Sequence, residues 1–173
     1  MTTRRAFLAC GLGLPAVLGG CGWEPLYANP DAGPASAALS EIRVDPIPER
    51  IGQRLEFALR HSFNPANEPA KQIYKLHVTL STSVADLGIQ SQGLGTRGAA
   101  YLAATYQLSE IATNKPLKLF TLHTVDSFDI QANGYSTVVA QDDAFNRCVE
   151  EARREIVARM TLFLQDRNAP AKS

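Results

Sequence analysis

One cysteine near the start of the chain lies in a setting that suits covalent attachment of a lipid. In the stretch LGGCGWEPLY, residues 18–27, Cys21 follows Leu18, Gly19 and Gly20. A thiol is the side chain that accepts a diacylglycerol group, and the peptidase that cuts before it reads small residues in extended backbone. The pattern therefore predicts cleavage between Gly20 and Cys21, with diacylglycerol and an N-acyl lipid on Cys21.

The residues before this cysteine have the plan of an export signal. Arg4 and Arg5 form a basic start, and residues 6–18 are uncharged and rich in Ala, Leu and Gly. Since this apolar core is shorter than the about 20 residues of a membrane span, we interpret residues 1–20 as a signal peptide ending in a bacterial lipobox. A transmembrane anchor and an ordinary cleaved signal with an incidental cysteine are the alternatives. Arg4 and Arg5 fit either a twin-arginine or a general secretory signal, so the export route stays open.

The predicted mature chain begins at Cys21 and is held at a membrane by its lipid. Each buried acyl CH₂ contributes about 0.8 kcal/mol, so several chains together anchor a protein stably. Gly22 follows the cysteine, at the position where Asp commonly retains lipoproteins in the inner membrane. We therefore expect the outer membrane, with the domain on its periplasmic side. Cys148, alone in an oxidising compartment, is interpreted as a small apolar core residue.

The other residues that could do chemistry form no catalytic or metal-binding pattern. His61, His77 and His123 have no Cys, His or carboxylate at metal-ligand spacing. The glycine-rich segment 93–98 lacks the Lys-Ser/Thr ending of a phosphate loop, and the chain has no Gly-x-Ser-x-Gly elbow. The sequence thus predicts no enzyme, no catalytic residue, no metal site and no cofactor apart from the lipid on Cys21.

The composition is that of a globular protein with no preference for nucleic acid. Hydrophobic residues make up 45% of the chain, charged residues make up 20%, and 17 basic residues balance 17 acidic ones. We divide the chain into a signal peptide, a lipidated N-terminus with a flexible tether, one folded domain and a disordered C-terminal tail. Their bounds are 1–20, 21–40, 41–167 and 168–173.

Hydrophobic periodicity predicts the element order β-α-β-β-β-α. Alternation of apolar and polar residues predicts strands at 41–47, 74–84, 101–112 and 117–128, and helical spacing predicts helices at 49–63 and 139–165. Three consecutive strands can form an antiparallel meander whose polar face is exposed to solvent. The expected fold is α+β, a two-layer sandwich of a four-stranded, mostly antiparallel sheet with two helices on one face.

The last predicted helix carries charged residues with two possible roles. We interpret Asp142 and Asp143 as caps near its start, because carboxylates complement the helix dipole there. Its arginines could grip phosphate or carboxylate groups of a ligand or a partner bidentately. They could equally be a solvated face paired with Glu150, Glu151 and Glu155. The candidate arginines are Arg147, Arg153, Arg154 and Arg159.

The segment Cys21-Gly22-Trp23-Glu24-Pro25-Leu26-Tyr27 resembles the mature start of the LptE family of lipopolysaccharide-assembly lipoproteins. In that family a cysteine, a glycine, an aromatic residue and a Pro-Leu-Tyr type segment follow the cleavage site. The predicted element order is also similar. Tyr135, Ala140 and the pair Asp143-Ala144, followed by an arginine-rich helix, resemble the alphaproteobacterial branch. Trp23 stands where Phe is more usual, and Ala28 where Gly is commoner.

The resemblance implies a partner and a task. Members of the family sit as a plug inside the outer-membrane barrel LptD, support its assembly and help to deliver lipopolysaccharide to the outer leaflet. A small tethered domain with a polar surface fits a polar barrel lumen. The expected partners are therefore LptD, lipopolysaccharide and, through the lipid, the outer membrane. A periplasm-facing scaffold lipoprotein of another envelope machine and an exported enzyme with an unrecognised site are the alternatives.

Overall fold

The computed structural model describes residues 34–65, 71–89 and 95–168. These residues lie in one compact unit, Asp31–Ser173. None of the helices in the described part combines the length and the apolar character that a membrane crossing requires. The elements, in chain order, are α1 (Pro34–Ser40), β1 (Ile42–Val44), α2 (Arg50–Phe63), β2 (Tyr74–Ile89), β3 (Gly95–Glu110), β4 (Pro116–Asp129) and α3 (Gly134–Asn168).

The four strands form one sheet in the order β1-β2-β3-β4. β1 pairs with β2 in parallel, with Ile42 opposite Tyr74 and Val44 opposite Leu76. The β2–β3 and β3–β4 pairs are antiparallel. A parallel neighbour needs a crossover connection, and α2 supplies it between β1 and β2. The predicted fold class, an α+β sandwich with a mostly antiparallel sheet, is confirmed.

Helices α2 and α3 supply apolar side chains to the core on one face of the sheet. Leu55 and Leu59 of α2 are completely buried, as are Ile156 and Met160 of α3. They belong to one core cluster with the alternate strand residues, among them Tyr106. Fully burying an aliphatic side chain of this size contributes about 1.5–3 kcal/mol, so these helical stripes contribute substantially to stability.

A smaller apolar cluster lies at the end of the sheet that carries the β2–β3 connection. It contains Ala100, Phe128, Ala144 and Phe145. Gly98 is opposite Phe128 in the β3–β4 register, and a Cβ added to Gly98 would lie 2.5 Å from the ring. The glycine is therefore needed because the Phe128 ring lies directly over the backbone.

The structure differs from the sequence-based expectation at the start of the domain. Residues 34–40 form the helix α1, whereas the sequence predicted a flexible tether up to residue 40. The tether prediction is wrong for this segment, because Leu39 is 7% exposed and belongs to the main core. Pro34 is the first helical residue, where proline is well tolerated.

The β2–β3 hairpin and α3 are longer than predicted. The sequence predicted strands at 74–84 and 101–112, but β2 continues to Ile89 and β3 begins at Gly95. Similarly, α3 begins at Gly134 and not at residue 139. The interpretation of Asp142 and Asp143 as caps is therefore wrong, because they lie more than one turn inside the helix.

Candidate functional site

The residues predicted to be cleaved and lipidated lie outside the described part of the chain. This applies to the export arginines Arg4 and Arg5, to Gly20 and to Cys21. Their roles therefore stay predictions from the sequence. The described chain begins at Pro34, thirteen positions after Cys21, so the folded domain is joined to the predicted lipid by a short segment.

Three of the four candidate arginines are paired with glutamates on their own helix. Arg153 Nε donates to Glu150 Oε2 at 2.9 Å. Arg154 is bonded to Glu151. The third pair, four residues apart, joins Arg159 to Glu155. These pairs agree with the interpretation of a solvated helix face, in which glutamates three or four residues away balance the arginines.

Two arginines of α3 also reach the outer strand β4. Arg147 Nη2 donates to the carbonyl oxygen of Ser127 at 3.2 Å. Arg159 Nη1 donates to the carbonyl oxygen of Thr121 at 3.0 Å. Because β4 is the last strand of the sheet, these carbonyls face away from β3 and would otherwise depend on water. The two guanidinium groups therefore fasten α3 to this edge.

Arg147 and Asp126 form the closest cross-element ion pair of α3 with the sheet. Arg147 Nε donates to Asp126 Oδ2 at 2.6 Å. This hydrogen bond is the main cause that lowers the pKa of Asp126 below its ordinary value and raises the pKa of Arg147. A second pair links the helices: Arg54 Nη2 donates to Asp142 Oδ2 at 2.9 Å and lowers the pKa of Asp142.

The prediction that Cys148 is buried is confirmed. The residue is 1% exposed, and its thiol donates to the carbonyl oxygen of Ala100 at 3.5 Å. Burial raises the pKa of the Cys148 thiol, so it stays protonated at neutral pH. A protonated thiol without solvent access is a poor nucleophile, and Cys148 therefore acts as a small core residue.

A shallow groove of about 680 Å³ runs between β4 and α3. Its lining includes His123, Arg147 and Arg154, together with acidic side chains of α3. Arg147 and Arg154 are both already paired with carboxylates. In the described part of the chain, no group of three His, Cys, Asp or Glu residues could hold a metal ion. A ligand in this groove would thus have to compete with existing ion pairs.

A second groove, of about 610 Å³, lies between β1 and α2. Arg43, Arg60 and His61 give it a basic character, and Phe57 is 75% exposed beside them. Arg60 is held by Glu56 at 2.7 Å. The arginines named in the two grooves are each paired with a carboxylate of the domain.

The sheet face opposite the core is rich in hydroxyl groups. Thr79 lies opposite Thr105, and Thr105 lies opposite Thr121, so three exposed threonines form a row across the sheet. In another row Tyr101 and Val125 are 39% and 61% exposed. Among the described residues, no helix covers this face. Hydroxyl groups both donate and accept hydrogen bonds, so the face suits contact with water or with a polar protein surface.

Comparison with known proteins identifies the fold. No family model matches the chain, and no curated protein matches it. A "putative lipoprotein" from Caulobacter crescentus has a crystal structure with a TM-score of 0.60 and 21% identity, covering 75% of this chain and 95% of that one. The solution structure of an "uncharacterized lipoprotein B" from Nitrosomonas europaea has a TM-score of 0.50 and 14% identity, covering 72% and 83%. This chain therefore has the fold of these small bacterial lipoproteins.

Proposed function

We propose that this protein is an outer-membrane lipoprotein, anchored through lipid on Cys21, that plugs the LptD barrel and supports its assembly and lipopolysaccharide transport. The observation that carries the proposal is the stretch Leu18–Tyr27, in which the lipobox pattern is followed by residues that resemble the mature start of the LptE family. This stretch precedes a domain with the fold of small bacterial lipoproteins. The similarity of fold alone supports only the coarser role of an envelope lipoprotein. The specific task depends on the resemblance of residues 21–27 and of the element order.

The charges of the domain support a binding role within a polar enclosure. The candidate arginines of α3 are bonded to carboxylates or to backbone carbonyls, and the sheet face opposite the core carries a row of exposed threonines. A plug in a polar lumen needs many hydrogen bonds and few unpaired charges. The candidate arginine that lacks a contact outside its own helix is Arg154. It is thus the α3 arginine that could turn to a lipopolysaccharide phosphate with the smallest disturbance of the fold.

The lipid anchor is tested by replacing the cysteine that would carry it. We expect Cys21→Ser to abolish incorporation of radiolabelled fatty acid and to leave an uncleaved precursor, because a hydroxyl does not accept diacylglycerol in this pathway. Cys148→Ala is the matched control, since Cys148 is buried, and it should be labelled like the wild type. Labelling of Cys21→Ser at the wild-type level would reject the anchor.

The partner is tested with the lipidated protein in mild detergent. We expect affinity purification of the wild-type chain to bring down the barrel protein LptD, identified by mass spectrometry. Depletion of the chain should leave LptD immature and lipopolysaccharide in the periplasmic leaflet. Normal surface lipopolysaccharide after depletion would reject the proposal and would favour the alternative of a scaffold lipoprotein for another envelope machine.

A further inference from the structure

Most of β2 forms an outer edge of the sheet, because β1 is short. β1 pairs with β2 only from Tyr74 to Leu76. β2 then continues to Ile89 with β3 on its other side. Residues 45–48, Asp-Pro-Ile-Pro, lead the chain away from the sheet after β1, since proline cannot donate to a ladder. Among the described residues, the second half of β2 therefore has no neighbouring strand on the side away from β3.

The hydrogen bonds near β1 show which backbone groups point to this edge. Tyr74 N–H donates to the carbonyl oxygen of Glu41, and Asp45 N–H donates to the carbonyl oxygen of Leu76. Alternate residues of a strand direct their N–H and C=O groups to the same side. The backbone N–H and C=O groups of the next four alternate residues of β2 therefore point away from β3. These four residues span about 20 Å along the strand. These residues, called here the open edge, are Val78, Leu80, Thr82 and Val84.

The open edge lacks the protection that the other strand edges have. Arg60 Nη2 donates to the carbonyl oxygen of Val44 at 3.4 Å, and two α3 arginines cover carbonyls of β4. In the described part of the chain, no side chain reaches the outward backbone groups of the open edge. Residues 78–85 also contain no charge and no proline, the usual residues that keep an edge from pairing.

The side chains beside the open edge define the kind of strand that fits. Val84 points to the helix-covered face but is 43% exposed. Ser81 and Ser83 point to the opposite face and are exposed. A strand paired here would extend both faces, so it would carry apolar residues on one side and small polar residues on the other.

We propose that the open edge pairs with an extended segment of the partner barrel protein. This segment would lie beside β2, on the same side as β1. The inference rests on the proposed function and adds the surface by which the domain would assist assembly. A closed barrel has no free edge, whereas a strand of a barrel that has not yet closed exposes unpaired N–H and C=O groups. Such strands alternate between apolar and polar residues, and this matches the chemistry beside the open edge.

Two substitutions test the pairing in the full lipidated chain. Thr82→Pro removes an outward N–H but no bond to β3, and Val84→Lys adds a charge beside the open edge. We expect each to lower the amount of co-purified barrel protein about tenfold, because the proline leaves a ladder position without its donor and the lysine places a charge where the paired strand would pack. Leu162→Lys is the matched control, because Leu162 is 57% exposed on α3, and it should stay within about twofold of the wild type.

Amide hydrogen exchange of the wild-type chain is a second measurement, and it does not depend on the variants. The amides of the open edge should exchange rapidly in the free wild-type chain and become protected in the complex with the barrel protein. Unfolding curves of Thr82→Pro and Val84→Lys show whether they fold, and if neither folds, the exchange result decides the question.

The possible results separate this inference from the proposed function. If every folded variant keeps the barrel protein and the open-edge amides stay unprotected in the complex, the edge-pairing inference is overturned while the proposed function stands. If the wild-type chain binds no barrel protein, the proposed function fails and the inference fails with it. A wild-type dimer that Val84→Lys converts to a monomer would assign the open edge to a second copy and overturn the inference.

Discussion

At the scale of single residues, Gly98 shows how one absent side chain shapes the smaller apolar cluster. A Cβ at this position would meet three atoms of the Phe128 ring within 3.0 Å, and Phe128 is only 6% exposed. We expect Gly98→Ala to lower the free energy of unfolding by about 1–3 kcal/mol, as overpacking does. Gly134→Ala is the control, because nothing lies within 4 Å and alanine favours a helix. Urea unfolding of both variants provides the measurement, and equal stability would show that the ring moves freely.

The ion pair of Asp126 with Arg147 makes stability depend on pH in the acidic range. Because the pKa of Asp126 is lowered in the folded chain, its contribution is complete above the unfolded value of about 3.9 and is lost as the pH falls through the lower folded value. We expect Asp126→Asn to reduce stability at pH 7 by about 0.2–1 kcal/mol, since both partners are partly exposed.

The same substitution should cost less stability at about pH 3 than at pH 7, because below about 3.9 the carboxyl of the unfolded chain is protonated first and the advantage of the folded chain declines. The difference in urea midpoints between pH 7 and pH 3 should therefore be smaller for Asp126→Asn than for the wild type. Asp166→Asn, at an exposed position of α3, is the control. An unchanged pH dependence in Asp126→Asn would show that this pair does not stabilise the fold.

The partners of the α3 arginines were only partly predictable from the sequence. Glutamates three or four residues away on one helix can be identified from spacing, and the pair Arg153–Glu150 is such a case. The partner of Arg147 is 21 residues away in β4. Spacing carries no signal for such a contact, because it depends on how the helix lies on the sheet.

At the scale of elements, periodicity predicted those segments whose burial alternates regularly. α2 was predicted at 49–63 and observed at Arg50–Phe63, because Leu55 and Leu59 repeat at the helical period and are both buried. The start of β3 was not predictable, because glycines such as Gly98 normally favour a turn. Here this segment pairs with β2 on one side and with β4 on the other, and the Phe128 ring lies against Gly98.

Helix α1 was missed because its sequence, PASAALS, has small residues and a single large apolar one. Leu39 belongs to the main core and Ala38 packs against it, so this short helix depends on packing more than on its length. We expect Leu39→Ala to lower the free energy of unfolding by about 2–3 kcal/mol. Leu162→Ala, at a position that is 57% exposed, should stay within about 0.5 kcal/mol of the wild type. If the two variants lose equal stability in urea unfolding, α1 does not pack as described.

At the scale of the whole molecule, the two ends of the sheet are built differently. The end where β1 meets Tyr74 is covered by α2, by the second half of α3 and by α1, and it contains the main core. The opposite end, with the β2–β3 hairpin, contains the small cluster around Phe128 and exposed apolar residues such as Leu87, Tyr135 and Val138. The chain from the predicted lipid enters through α1, which belongs to the well-covered part. The less covered end is therefore the part with the most surface left for a partner.

This division predicts that the long helix α3 opens in two steps. Residues 134–143 contain exposed side chains such as Tyr135 and Val138, whereas residues 144–164 include Ala152 and Ile156, which are fully buried. Local opening needs less free energy where fewer apolar contacts break. In native-state hydrogen exchange we expect the amides of 138–143 to exchange by a local opening at low denaturant, and those of 152–160 only by global unfolding. Phe145→Ala should widen this gap, because Phe145 joins the first half of the helix to Phe128. A single opening free energy along the whole of α3 would show instead that both ends of the sheet unfold as one unit.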